Sequence, residues 1–316
     1  MPKILSGWPV GHMLPDTVTL VEVGPRDGFQ FERSVVPTDR KLSAIAGLVA
    51  AGLKHIQVAS FVHPAKVPQM ADAASLIGGL PRDDGVIYTA LVLNRRGLER
   101  AMASGIKAVE ISLSASDAHS RKNAGMPHEE ALHQGLDMID RAISAGLHVR
   151  ASVQCAFGCV DEGSMPAVRI ADIIRRFVDH GAHELSLADT TGMGSPPVVS
   201  GILDAVVPVS GRLPLALHLH DTRGLGLVNL MAALACGVSI FDTALAGMGG
   251  CPFVPGAAGN IATEDTVHLL DTLGIHTGVD YRRVGVVSRD MEAFFQKSFP
   301  GRMHRMTAIK ELSASI

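Results

Sequence analysis

Eight short runs rich in Val, Ile and Leu recur along this chain, at residues 18–23, 55–60, 86–92, 108–113, 148–154, 184–188, 215–219 and 239–245. Amphipathic segments such as 40–51, 95–103, 128–145, 167–180 and 229–236 lie between them, and Gly52, Gly105, Gly146, Gly181 and Gly237 close these segments just before the next run. A glycine just past the last helical turn is the usual helix stop, so each unit reads as helix, glycine, strand. Strands alternating with helices favour a parallel sheet, and eight such units predict a closed (β/α)8 TIM barrel over an open doubly wound sheet. The segment beyond about Asp280 is helical in pattern and falls outside the eight units. The expected organisation is therefore a catalytic barrel over residues 1–280 with a C-terminal helical extension, 281–316, packed on it.

At 316 residues, length alone leaves two domains or one barrel open, and the repeat decides between them. Hydrophobic residues make up 47 % of the chain, aromatics 4 %, and the net charge is −3, which gives no general attraction to nucleic acid. Barrel interiors filled by Val, Ile, Leu and Ala make the scarcity of aromatics unsurprising. The four cysteines form no CxxC pair or finger-like spacing, and the opening residues lack a basic segment followed by an apolar core. No stretch approaches the ~18 apolar residues of a membrane span. The expectation is a cytoplasmic protein without membrane or nucleic-acid partners.

In LPLALHLHDTRG, residues 213–224, two histidines interrupt an apolar run. Side chains alternate along a strand, so His218 and His220 share one face, roughly 7 Å apart by the strand rise, with Leu219 on the other. A lone strand histidine is ordinarily a core residue bonded to its neighbours, but two on one face ask for a shared partner. A divalent metal with a carboxylate is the simplest such partner.

Catalytic groups of a barrel gather where its strands end. Strand one is followed by Gly24-Pro25-Arg26-Asp27-Gly28, and in a closed barrel strand one neighbours strand eight and lies two from strand seven. Asp27 is thus a candidate ligand with the histidines, although an Arg-Asp turn fixing its own backbone gives the same sequence. Arg26 beside it suits oxyanion charge developing in a transition state, or is a solvated rim residue. The loop from Gly247 to Asn260 is glycine-rich and carries Cys251, a thiol placed to close over substrate and pass a proton. Asn260 offers a neutral oxygen ligand. A non-haem iron oxygenase also uses two histidines and a carboxylate, which ligand types alone leave open.

The blocks VEVGPRDGFQFE, ASFVHPAKVPQMAD, SASDAHSRKN, LADTTGMG, HLHDTRG and GMGGCPFVPGAAGNIATED resemble, in order, the 3-hydroxy-3-methylglutaryl-CoA lyase family. The last block is the specific one; the Arg-Asp turn and the His-x-His strand are shared with a wider superfamily of metal-dependent barrels. The resemblance implies that Asp27, His218, His220 and Asn260 bind Mg2+ or Mn2+. It further implies that Arg26 stabilises an enolate, that Cys251 handles protons and that His218 and Asp27 are both catalytic, His218 being the candidate base for the hydroxyl proton. Gln30, Gln57, Ser60, Asn123, Asp189 and Arg223 fall at the implied substrate contacts. The implied partner is an acyl-CoA thioester, and the implied assembly a homo-oligomer, dimer or tetramer.

Three positions depart from the family. Gln57 stands where the family has a glutamate, Phe31 where an asparagine is usual, and Arg223 where a tyrosine is common. The first removes a carboxylate from the active-site face, so restoring it by Gln57→Glu is expected to raise the family reaction. The departures leave three readings: the family lyase, a lyase for citramalyl-CoA or a longer branched hydroxyglutaryl-CoA, and an acyl-CoA-binding homologue without turnover.

Overall fold

The computed structural model describes residues 3–4, 13–81, 85–250 and 258–306. Eight parallel strands close into a barrel: β1 Thr19–Glu22, β2 His55–Ser60, β3 Ile87–Val92, β4 Ala108–Ser114, β5 His148–Gln154, β6 Glu184–Ala188, β7 Leu215–His218 and β8 Ile240–Thr243. Closure is made by β8 on β1, where Ile240 lies opposite Thr19 and Thr243 opposite Glu22. All eight strands fall within two residues of their expected bounds. Outside the barrel an antiparallel pair, Lys3–Ile4 with Met13–Leu14, was not legible in a segment without alternation.

Helices follow most strands, including α1 Thr38–Ala50, α2 Ala73–Gly78, α3 Arg95–Ala103, α4 Asp117–Asn123, α5 His128–Ser144, α6 Ala167–Asp179, α7 Pro196–Val206, α8 Gly226–Ala235 and α9 Thr263–Thr272. Gly146 and Gly181, at φ 77° and 78°, reverse the chain after α5 and α6 where a side chain would be strained. Past the barrel, α10 Tyr281–Phe295 starts on Asp280, whose carboxylate accepts from the Arg282 amide at 2.9 Å. It packs on α1 and α9 and contributes Val284 and Met291 to the core. Among the described residues no helix is long and apolar enough to cross a membrane.

The large apolar core lies between strands and helices, and a small second cluster, Val21, Val23 and Ala244, fills the β1–β8 seam. The rest of the barrel interior departs from the expected Val, Ile, Leu and Ala filling. Strand alternation sends Val109, Ile111, Val149, Val153, Leu185 and Leu187 to the helices, which leaves Glu110, Ser112, Arg150, Ser152, Glu184 and Ser186 facing inward. Glu110, Arg150 and Glu184 share one register row across β4, β5 and β6. Buried charge of this kind is tolerated only when paired. Arg150 supplies the pairing, 2.7 Å from Asp242 on β8, 3.2 Å from Glu184 and 3.6 Å from Glu110.

Candidate active site

The chain leaves β1 through a single wide helical turn, Gly24–Gly28, rather than a plain turn. Glu22 holds both this turn and the segment after β8, accepting from the Gly24 amide at 2.8 Å, the Leu245 amide at 2.9 Å and the Thr263 hydroxyl at 2.6 Å. Burial pushes the Glu22 carboxyl up to about 8, against the pull of those bonds. The turn delivers Arg26 and Asp27, both buried, to the mouth of the barrel.

Strand β7 ends at His218. His220 follows it in an isolated bridge with Asn260, so the two imidazoles converge instead of standing a full strand repeat apart. Their Nε2 atoms lie 3.1 Å from each other, and one donor atom from each of Asp27, His218 and His220 lies within 4.8 Å of the other two. Asn260 donates through Nδ2 to Asp27 Oδ2 at 2.7 Å and to the Met248 carbonyl at 2.9 Å. Its buried Oδ1 has no partner among the described residues. A buried amide oxygen without a donor is costly unless something binds it.

The electrostatics favour a cation at this point. Burial would raise Asp27, but Arg26, the two histidines and Asn260 outweigh it and hold the carboxyl below its ordinary range. Burial, then the adjacent His218, push His220 down to about 3, so it is a neutral imidazole at neutral pH. For His218 burial is outweighed by Asp242, whose Oδ2 lies 3.2 Å from Nδ1, and the ring is raised. Asp242 is itself held at about 2, burial being overcome by Arg150 and His218. Around the cluster stand the guanidiniums of Arg26 and Arg150 and the carboxyl groups of Asp27, Glu110, Glu184 and Asp242, an excess of acidic over basic groups. Oxygen and imidazole donors with that excess suit a divalent ion. A carboxylate behind the far nitrogen of a ligating histidine fixes its tautomer and orientation.

The cleft over this cluster is lined by Arg26, Asp27, Gln30, Phe31, Glu110, Ser112, His119, Asn123, Ser152, Gln154, Thr190, His218, His220 and Gly250, among others. Of the expected substrate contacts, Gln30 and Asn123 therefore border it. Ser60 is buried beneath and bonds Gln30 at 3.0 Å. Gln57 is wholly buried behind Arg26, accepting from its Nε and donating to Glu110 Oε2 at 2.8 Å. Asp189 is buried and accepts from the Gly194 amide at 3.0 Å; burial lifts its carboxyl to about 6. Arg223 turns away to the carbonyls of Thr191 and Gly192, at 2.7 and 2.6 Å, so it adds no cation to the described lining. Cys251 lies outside the described residues. Nδ1 of His218 faces Asp242 and its Nε2 faces the donor cluster.

Sequence reasoning missed Asp242, Glu110, Arg150, Ser112, Ser152, Gln154 and His119. The usable signal was an ionisable residue inside strands otherwise built for burial: VEISL, VRASV and FDTAL each carry one at the parity that faces inward.

Comparison with known proteins agrees with the geometry. The model of the HMGL-like family matches residues 17–291. The chain belongs to that family. It is 42 % identical over 271 residues to the mitochondrial hydroxymethylglutaryl-CoA lyase of Homo sapiens, covering 86 % of this chain and 83 % of that one. The structure of hydroxymethylglutaryl-CoA lyase from Pseudomonas aeruginosa superposes with a TM-score of 0.90 at 38 % identity, over 94 % of this chain and 99 % of the other. An HMG-CoA lyase from Acinetobacter baumannii, solved with coenzyme A and 3-methylmalate, superposes with a TM-score of 0.88 at 35 % identity, over 92 % and 95 %. Membership of the HMGL-like family accounts for the barrel.

Proposed function

We propose that this HMGL-like protein is a divalent-metal-dependent carbon–carbon lyase that cleaves 3-hydroxy-3-methylglutaryl-CoA to acetyl-CoA and acetoacetate. The observation that carries the reading is the convergence of two buried imidazoles, an ionised Asp27 and an unpartnered Asn260 oxygen beside a buried arginine. Asp27, His218, His220 and Asn260 would hold Mg2+ or Mn2+. When bound, the ion supplies Lewis acidity that makes the substrate's tertiary hydroxyl easier to deprotonate.

In the reaction the hydroxyl passes its proton to a carboxylate of the cluster, for which Asp27 is the proposed acceptor, and the C2–C3 bond breaks. The oxygen becomes the ketone of acetoacetate, and the bonding pair passes to the thioester as its enolate. Arg26 is aimed for the last of these changes. Two of its N–H groups are spent on Asp27 and Gln57, which hold the side chain in place, and Arg26 borders the cleft. A buried, fixed cation stabilises developing enolate charge more than a mobile one in water. His218, with both nitrogens engaged, is assigned to the ion and not to the proton. Asp242 orients it, and Asn260 through its Nδ2 orients Asp27. Protonation of the enolate at C2 completes acetyl-CoA, a step for which Cys251 is the proposed donor.

The polar wall of Ser112, Ser152, Gln154 and Asn123 favours a second reading, in which a related 3-hydroxyacyl-CoA with a more polar acyl group is the better substrate. One experiment addresses both. A panel of 3-hydroxyacyl-CoA thioesters, including citramalyl-CoA, is incubated with Mg2+ or Mn2+, and acetyl-CoA and the keto product are measured. Equimolar acetyl-CoA and acetoacetate from the methylglutaryl thioester is the expected result. A larger kcat/KM on another thioester moves the substrate assignment, and no cleavage of any of them defeats the lyase reading.

A further inference from the structure

We infer that Gln57 and Glu110 form one positioning unit for Arg26, and that the unit's carboxylate can be carried at either position. The inference rests on the lyase reading, since it concerns the cation placed for the enolate. It starts from an amide with no freedom. Gln57 is fully buried on β2, its carbonyl accepts from Arg26 Nε, and its NH2 donates to Glu110 Oε2 on β4 at 2.8 Å. An amide presents an acceptor at one end and donors at the other, so its orientation is set by its neighbours. Glu110, itself 5 % exposed and 3.6 Å from Arg150, fixes the choice: its carboxylate demands the NH2, which leaves the oxygen for the guanidinium.

Removing the acceptor at 110 would free the amide to turn its NH2 towards Arg26, donor against donor. Placing a carboxylate at 57 while Glu110 remains would set two carboxylates within hydrogen-bond distance, and one would have to take up a proton. The chain thus tolerates an acid with an amide across this contact, and an acid with an acid poorly. The carboxylate missing from β2 has in effect a counterpart on β4, which reverses the expectation that Gln57→Glu alone raises activity.

The test uses Gln57→Glu, Glu110→Leu and the exchange Gln57→Glu/Glu110→Gln, with kcat, KM and melting temperature measured on each. A displaced reacting group costs roughly 10²-fold in rate, and each single variant is expected to lose between about 10-fold and 10²-fold in kcat with KM unchanged. The exchange is expected to return to within a few-fold of the natural chain. In an Arg26→Lys background, Glu110→Leu should cause no further fall in kcat, which a merely structural role does not predict.

Because Glu110 borders the cleft and position 57 is not among its lining residues, recovery in the exchange also shows that no carboxylate is needed at the cleft wall at position 110. An exchange variant that is unfolded, or folded and as inactive as the single variants, overturns the inference. So does an undiminished effect of Glu110→Leu in the Arg26→Lys background. If the natural chain turns over no thioester, the lyase reading fails by itself and melting temperatures still decide the pairing. An exchange variant as stable as the natural chain supports it, and one less stable than both single variants overturns it.

Discussion

Arg150→Met tests whether the polar barrel interior is one connected charge system. Arg150 is 1 % exposed and faces Asp242, Glu184 and Glu110 at 2.7, 3.2 and 3.6 Å. Methionine matches much of its length without its charge, so the packing loss is modest and the electrostatic loss dominates. Removing one partner of a buried ion pair costs about 3–5 kcal/mol, because the remaining charge is left uncompensated. Here three carboxylates share the loss, which puts the variant at the upper end of that range.

The pH dependence carries its own sign. In the natural chain Asp242 is held at about 2, burial being outweighed by Arg150 and His218, so its stabilising contribution is present above its ordinary value and is lost as pH falls towards 2. Without Arg150 these carboxyls are pushed above their unfolded values. The variant then gains stability as pH falls from neutral towards 5, and its deficit grows as pH rises. Urea unfolding of both chains at pH 5, 6, 7 and 8 measures this. A deficit below about 1 kcal/mol, or one constant across that range, would refute the reasoning.

Glu22→Gln keeps the shape of a side chain whose carboxyl burial has raised to about 8. A raised folded value means stability is lost as pH climbs from about 4.5 to 8, by up to ~1.4 kcal/mol per unit, and the variant should flatten that slope in melting-temperature scans. Gly249 has φ 130°, and a Cβ there would collide with Asn260 Nδ2 and lie 3.3 Å from Asp27 Oδ2. Gly249→Ala should therefore weaken Mn2+ binding at least several-fold in calorimetric titration while the barrel stays folded by circular dichroism. Cys251→Ala should bind Mn2+ normally and lose ~10²–10⁴-fold in kcat, the usual contribution of a proton-transfer group. Near-normal turnover would make the thiol a bystander.

The barrel was legible because its signal is repetitive and local. A buried strand recurs eight times, five times after a periodic helix and a stopping glycine, and an error in one unit is corrected by the next. Asp27 and the histidine pair were legible because polar residues interrupted apolar runs at strand ends. The contacts of Gln57 were not legible, since its partner Glu110 lies 53 residues away and their meeting depends on the register of three strands. The same holds for Asp242 behind His218 and for Arg150 across the barrel. A sequence shows that a strand carries a charge at an inward parity; only the closed sheet shows which charge faces which. The contacts of Arg223 were equally hidden, since its Nη1 donates to the carbonyls of Thr191 and Gly192, 32 and 31 residues earlier, just after β6.

The most direct test of the central claim is the rate of acetoacetate release from 3-hydroxy-3-methylglutaryl-CoA as a function of free Mn2+, after the protein has been stripped with a chelator. The account predicts a rate near zero without the ion that rises and saturates. It also predicts that Asp242→Asn shifts the half-saturating concentration upward by about 10- to 100-fold, the usual effect of loosening a histidine's outer partner. Release that proceeds unchanged in the stripped protein, or that responds to Mn2+ identically in both chains, would contradict the placement of the ion at Asp27, His218, His220 and Asn260.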